Sequence, residues 1–205
     1  MSLSKVSLTK SSPTVSLTKG AGAGGQLRIN LNWSQGGKAA GGFFKRAIAA
    51  NAAVDLDLGC LWETVDGSKG VVQALGRSFG ALDRTPYVLL DGDDRSGQAT
   101  GGENLLVNLD HLDRIKRILV FAYIYEGVPN WAAADGVVTM YPVGAQPIEI
   151  VLDEPANDRR FCAIAMLTNS GGGLKIERQV RYISGSQRHV DEAYGWGMSW
   201  SGARK

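Results

Sequence analysis

Short runs of strand-like sequence, separated by turn-forming residues, recur along most of the chain and constrain its fold more than any other feature. Segment 26–33, QLRINLNW, alternates apolar and polar residues, which is the period of a β-strand with one solvated face. The 27 glycines gather in clusters between such runs, as expected of many short elements joined by tight turns. The further strand-like runs are 53–62, 71–75, 87–90, 104–109, 117–125, 136–141, 147–152, 160–167 and 174–184.

The order of these runs predicts an all-β fold. Strands do not alternate with long helices, which argues against a parallel α/β sheet. The spacing of the turns is that of a sandwich. We therefore expect a two-sheet β-sandwich with one or two short helices, formed by residues 1–205 as a single domain.

Three local patterns refine this expectation. VSLTK occurs at residues 6–10 and again at 15–19, and two neighbouring strands are the simplest interpretation. Segment 39–51 has the apolar spacing of an amphipathic helix, which could cap a site or engage a partner. Near the end, Trp196 and Trp200 stand four residues apart, so they could dock one helical turn onto the sandwich or stack on a partner. Docking is the favoured interpretation because exposed tryptophan is uncommon.

Composition limits the functional classes. A net charge of +2 is too small to predict binding to nucleic acid. The first residues lack the apolar core of a secretory signal, and the longest apolar run, 118–125, is too short to span a bilayer. We expect a cytoplasmic protein with no transmembrane segment. Cys60 and Cys162 are interpreted as buried apolar residues, with a single disulfide as the alternative.

Two acidic segments carry the main functional signal. Asp55 and Asp57 are two apart in the apolar run AVDLDLG, so on a strand both carboxylates project from one face. A cation between them would relieve their repulsion, whereas two solvated carboxylates are the simpler alternative. The second segment, LDGDDRSGQATGGENLL, contains Asp91, Asp93 and Asp94. Calcium prefers six to eight oxygen ligands. The carboxylates of this segment could supply some of them, and backbone carbonyls that its glycines allow to turn inward could supply others. A turn neutralised by Arg95 is the alternative there.

Other metal-site types fit less well. With Asp91 at position one of an EF-hand, the sixth position would be Ser96 rather than glycine, and Glu103 would fall one place late. Zinc is disfavoured because the only histidines, His111 and His189, are remote from both cysteines in sequence. Oxygen-rich, histidine-poor chemistry favours calcium, with magnesium second.

An ordered set of sequence boxes resembles the tellurium-resistance TerD family of bacterial stress-response β-sandwich proteins. The likeness includes the doubled VSLTK opening, VDLDLG at 54–59, GDDRSG at 92–97, GGEN at 101–104 and RILVFAYIYEG at 117–127. Two departures from the family pattern matter. Gly59, in place of the family's Ala-Ser after DLD, alters the local packing, and Gln98 to Thr100 stand where the family is more acidic, which reduces the number of carboxylates.

The resemblance implies calcium binding, with no catalytic reaction. Carried over by position, it implies as metal ligands Asp55, Asp57, Asp93, Asp94, Glu103 and Asn104, with Asp91 as an additional candidate. It also implies a role in stress or tellurite resistance, related stress-response proteins as partners, and a location peripheral to the inner face of the membrane.

Two rival motifs and one rival class of function remain. GAGAGG at 20–25 spells a dinucleotide fingerprint, but a strand pattern follows it instead of the required helix. GRSFG at 76–80 spells a nucleophile elbow around Ser78, which makes a serine hydrolase a remote alternative. A metal-independent interaction module that assembles stress-response complexes through its sheet face or tail is the second hypothesis.

Overall fold

The computed structural model describes residues 4–33, 55–91, 102–127, 131–156 and 158–200, and strands dominate them. Within these ranges, two short α-helices accompany the strands, α1 (Trp131–Ala134) and α2 (Gln187–Tyr194). The strands are β1 (Val6–Ser7), β2 (Thr14–Thr18), β3 (Gln26–Asn32), β4 (Asp55–Thr64), β5 (Lys69–Gln73), β6 (Gly80–Ala81), β7 (Val88–Leu90), β8 (Glu103–Asn108), β9 (Ile115–Glu126), β10 (Gly136–Tyr141), β11 (Ile148–Leu152), β12 (Phe161–Asn169) and β13 (Gly173–Ile183).

These strands form two sheets, which confirms the predicted β-sandwich. Sheet A has the order β1-β11-β10-β3-β8-β7-β6, and sheet B has the order β2-β13-β12-β9-β4-β5. The short β1–β11 pair is parallel, whereas the other pairs between named strands are antiparallel. The apolar residues on the facing sides of the two sheets form one continuous buried core.

The sequence places most strands to within a few residues. The expected strand 136–141 coincides with β10. The expected strand 71–75 is shifted, because β5 begins at Lys69 and residues Leu75–Arg77 form a 3₁₀ turn. The expected helix at 39–51 lies outside the described residues.

The two VSLTK copies are not neighbouring strands, so that expectation is wrong. The first copy contributes β1 to sheet A and the second contributes β2 to sheet B. Each copy buries only its leucine, Leu8 or Leu17, and both leucines enter the core between the sheets. The same pattern therefore supplies an edge strand to each sheet.

A second apolar cluster lies on the outer face of sheet B. Leu61, Leu119, Phe121 and Phe161 form its floor, and α2 and the tail after it form its cover. Trp196 is completely buried there, which confirms that the tail docks. The expected helical turn at Trp196 and Trp200 is wrong, because α2 ends at Tyr194 and the tail that follows is not helical.

Polar contacts hold this tail in place. Asp191 accepts hydrogen bonds from the Gly197 N–H at 2.7 Å, the Met198 N–H at 2.9 Å and the Trp200 indole at 2.9 Å. The Trp196 indole donates to the Trp62 carbonyl at 3.1 Å. The tail is thus bound to both α2 and β4.

Arg117 joins the tail to a buried carboxylate. Its guanidinium lies 3.8 Å from the centre of the Trp196 ring and donates to Glu63 at 2.6 Å, while Lys116 donates to the other Glu63 oxygen at 2.8 Å. Burial alone would raise the pKa of Glu63, but these two cationic donors outweigh it and hold the pKa below its ordinary value of 4.5. Glu63 is therefore ionised in the neutral range and fixes Arg117 beneath the tail.

Candidate metal centre

The first two residues predicted as ligands lie at the start of β4, and both are buried. Asp57 has no exposed surface and Asp55 is 8% exposed. Leu56 and Leu58 belong to the core between the sheets, so alternation places Asp57 on the outer face of sheet B, opposite Tyr123 of β9. Burying carboxylates at neighbouring positions is costly without compensating charge.

Glu103 brings sheet A to this part of β4. It starts β8 and has the inward orientation of Leu105 and Val107, and only 1% of its surface is exposed. The Leu58 N–H donates to a Glu103 carboxylate oxygen at 2.6 Å. The pairing of β4 with β5 ends at Gly59, so Glu103 binds the first backbone donor beyond that pairing. A carboxylate from one sheet thus reaches the residue that follows Asp57 in the other.

Gly102 makes this approach possible. Its φ is +62°, and a Cβ atom on it would lie 2.2 Å from the Leu31 carbonyl oxygen. Any side chain would collide with the backbone of β3 at that point. The glycine of GGEN therefore lets the chain pass β3 and place Glu103 between the sheets.

Asn104 lies on the opposite face of β8 from Glu103. Its side-chain oxygen accepts hydrogen bonds from Asn30 at 3.0 Å and Arg28 at 3.2 Å. Arg28 in turn lies over the Tyr141 ring at 4.0 Å. This oxygen would have to leave two donors in order to ligate an ion.

Asp91 is exposed and directly follows β7. Its N–H donates to the Asn104 carbonyl at 2.8 Å, which continues the pairing of Leu90 with Leu105. Asp91 and Gly102 therefore flank the β7–β8 connection at the end of sheet A where Glu103 reaches β4. Asp93 and Asp94 belong to residues 92–101, outside the described residues.

The described residues supply only part of a metal site. Among them, no group of three or more His, Cys, Asp or Glu side chains is arranged to hold a metal ion. They do provide hard oxygen donors, because Asp55, Asp57 and Glu103 are carboxylates at the junction of β4 and β8. Such donors suit calcium or magnesium, and further ligands would have to come from elsewhere in the chain.

The cysteines do not alter this donor chemistry. Cys60 and Cys162 are both buried and form no disulfide. This confirms the expectation that they are buried apolar residues. Burial raises the pKa of each thiol far above its ordinary value. Both therefore remain neutral thiols and supply no thiolate to a soft metal.

Two polar residues at this junction were missed at the level of sequence. Glu126, an exposed residue at the end of β9, is the cross-strand partner of Asp55. Asn30 is buried on β3 and donates to Asn104 and, at 3.4 Å, to the Glu103 carbonyl. The sequence feature that could have identified Glu126 is its position at the end of a long apolar strand. Its proximity to Asp55, however, depends on the pairing of β9 with β4.

The rival motifs lack the surroundings that their chemistry needs. GAGAGG at 20–25 leads into strand β3, as expected. Ser78 follows a 3₁₀ turn and precedes strand β6, and its hydroxyl donates to the Val71 carbonyl at 2.8 Å. A nucleophile elbow requires a strand before the serine and a helix after it.

None of the helices in the described part of the chain has the length and apolar character needed to cross a bilayer.

Comparison with known proteins identifies the family. The whole chain is 47% identical to the tellurium resistance protein TerA of Alcaligenes sp. over 205 residues, and it spans 60% of that relative's length. No family model matches the chain.

Two solved structures share the fold. The protein of unknown function SAV2460 has a TM-score of 0.61 at 14% identity, over 86% of this chain and 99% of that one. A homologue of the telluride resistance protein TerD, SCO6318 from Streptomyces coelicolor A3(2), has a TM-score of 0.53 at 18% identity, over 79% and 92%. The two structures show the shared fold alone; on the sequence likeness to TerA over all 205 residues, this chain belongs to the tellurium-resistance TerA/TerD family.

Proposed function

We propose that this chain is a calcium-binding protein that acts in tellurium resistance, in which Ca²⁺ joins the start of β4 to the connection between β7 and β8. The observation that carries the proposal is the bond from the Leu58 N–H to Glu103 beside the buried Asp57. It brings carboxylates from two distant parts of the sequence to one strand end.

Asp55, Asp57 and Glu103 are the residues that would hold the ion. Glu103 reaches β4 at the Leu58 N–H, next in sequence to Asp57, so an ion at this strand end would have carboxylates from both sheets beside it. The remaining oxygen ligands would come from the predicted Asp91, Asp93 and Asp94, and from Asn104 if its oxygen left the donors Asn30 and Arg28. A bound divalent cation would supply the positive charge that offsets the burial of these carboxylates.

Calcium would therefore act on stability. We expect removal of the ion to loosen the junction of the two sheets. If calcium binds only the folded state, a concentration of a hundred times its dissociation constant stabilises that state by about 2.7 kcal/mol. For a chain of this size that corresponds to a rise in Tm of roughly 5–11 °C.

Thermal unfolding in excess calcium and in excess chelator tests the proposal. Asp57→Asn and Asp93→Asn should abolish the calcium-dependent rise in Tm, and magnesium should give a smaller rise than calcium. Asp83→Asn is the matched control, because its side chain is 78% exposed and its ion pair among the described residues is with the neighbouring Arg84. Equal Tm values for the unmodified chain with calcium and with chelator would reject the proposal.

We also propose that the chain binds rather than catalyses, and that any partners are related stress-response proteins. The bond from the Ser78 hydroxyl to Val71 favours a structural role for that serine over a nucleophilic one. Folded protein should accordingly resist labelling by a fluorophosphonate probe.

In the alternative of a metal-independent interaction module, the burial of Trp196 argues against this side chain as the partner contact.

A further inference from the structure

The edge strands of the described sheets differ in how well they are protected. β1 and β6, at the two edges of sheet A, are two residues each. β2, at one edge of sheet B, alternates exposed polar residues with valine and leucine. β5, at the other edge, reads KGVVQ and lies beside a cavity of about 540 Å³. A strand edge with unpaired backbone groups is a template for pairing with another chain.

The outward backbone groups of β5 follow from two hydrogen bonds. The Gln73 N–H donates to the Ser78 carbonyl at 2.9 Å, so Gln73 faces away from β4. The Ser78 hydroxyl donates to the Val71 carbonyl, which gives Val71 the same orientation. Alternation then turns the backbone of Lys69 outward as well. Within the described part of the chain, no group accepts a hydrogen bond from the outward Val71 N–H.

The cavity runs along this edge as a trough. One wall is the turn that contains Leu75 and Gly76, and the other is the docked tail from Gly197 to Trp200. Gly70, which lines the trough, lets the Trp62 ring pack directly against β5, because a Cβ there would lie 2.5 Å from that ring. The β5 edge from Lys69 to Val71 therefore lies between these two walls, while the Gln73 end is covered by Ser78.

The residues that line the trough favour a negatively charged partner. Lys69 is the charged residue among the described residues that line the trough, and no carboxylate lines it with Lys69. Its ammonium group donates to the Trp196 carbonyl at 2.7 Å. An ammonium group has three donors, so two remain for an anionic partner. Val71, Leu75 and Met198 add apolar surface beside this cation.

We propose that the β5 trough binds an extended acidic peptide segment of another protein by β-strand addition. The peptide backbone pairs with the outward groups of Lys69 and with the outward Val71 N–H, because the Val71 carbonyl already accepts the Ser78 hydroxyl. An apolar side chain packs against Leu75 and Met198, and a carboxylate meets the Lys69 ammonium. In this mode backbone hydrogen bonds supply affinity and alternate side chains supply specificity. The site requires no calcium.

A short fluorescein-labelled peptide that alternates valine with aspartate is the probe, followed by fluorescence anisotropy in excess chelator. We expect saturable binding that Val71→Pro weakens about tenfold or more, because proline lacks the N–H and its ring obstructs the edge. Ser16→Pro is the matched control. The Thr18 N–H donates outward to Ala21, so Ser16 also faces outward, but on the β2 edge. Replacing aspartate by lysine in the peptide should weaken binding to the unmodified chain.

If Val71→Pro does not fold, the test uses the unmodified chain and two peptides with N-methylated backbones. They carry the methyl groups on alternate residues in the two possible registers, and one register should abolish binding while the other retains it. Three results would overturn the proposal: equal binding by Val71→Pro and the unmodified chain, no saturable binding up to about 1 mM peptide, or equal binding by both N-methylated peptides. A dimer of the unmodified chain that Val71→Pro converts to a monomer would also overturn it, because the occupant would then be a second copy of β5.

Discussion

Replacing Trp196 by alanine tests whether the tail is an integral part of the fold. The side chain is completely buried on the outer face of sheet B, packs over Arg117 and donates to the Trp62 carbonyl. Removing a buried tryptophan side chain costs about 3–5 kcal/mol. For a chain of this length that lowers Tm by roughly 6–20 °C.

The measurement is urea unfolding monitored by circular dichroism, supported by thermal melts. Trp196→Phe should lose less stability than Trp196→Ala, because it keeps most of the apolar volume and lacks only the indole donor. Val143→Ala is the surface control, since Val143 is 60% exposed and should change the free energy of unfolding by less than about 0.5 kcal/mol.

A loss of less than about 1 kcal/mol for Trp196→Ala would refute this reasoning. It would mean that the tail leaves sheet B in solution, and Trp196 would again be a candidate for contact with a partner protein.

Two further predictions concern the same face of sheet B. Glu63→Gln should cost about 1–3 kcal/mol at pH 7, because it weakens the bonds from Lys116 and Arg117, which are partly solvated. The folded-state pKa of Glu63 lies below its ordinary value, so this stabilisation is present above about pH 4.5 and fades as the pH falls through the lowered pKa. Unfolding curves at several pH values should therefore show the two proteins converging in acid; a difference independent of pH would contradict the assignment. Asp191→Asn should cost about 1–3 kcal/mol, because its amide group faces donors of the tail. The indole NMR signal of Trp200 should shift in this variant, and an unchanged signal would show that the bond does not form in solution.

The sandwich was predictable because strand alternation is a local property. For example, the alternation within residues 136–141 was enough to predict β10 with its observed bounds. The partner of a strand is not local, and the VSLTK repeat illustrates the difference. Each copy specifies one buried leucine and a solvated face, and either sheet satisfies that pattern. The sequence therefore did not predict that the copies join different sheets.

The candidate site was predictable in part for the same reason. Asp55 and Asp57 were identified from their spacing on one strand, and Glu103 from its place in the acidic, glycine-rich segment together with the family resemblance. The bond from the Leu58 N–H to Glu103 depends on the end of the β4–β5 pairing and on the φ of Gly102. Glu126 was missed because its proximity to Asp55 depends on the order of strands in sheet B. These features come from pairing between distant segments, which one sequence does not encode in any short pattern.

The most direct test of calcium binding at the junction of β4 and β8 is a calcium titration followed by heteronuclear NMR. The account predicts saturable shifts concentrated at the amides of Leu56 to Leu58 and Glu103 to Leu105, and their loss in Asp57→Asn. Amides of β2 and β13, on the far side of sheet B, should change little. A spectrum that calcium leaves unchanged, or shifts centred away from β4 and β8, would contradict it.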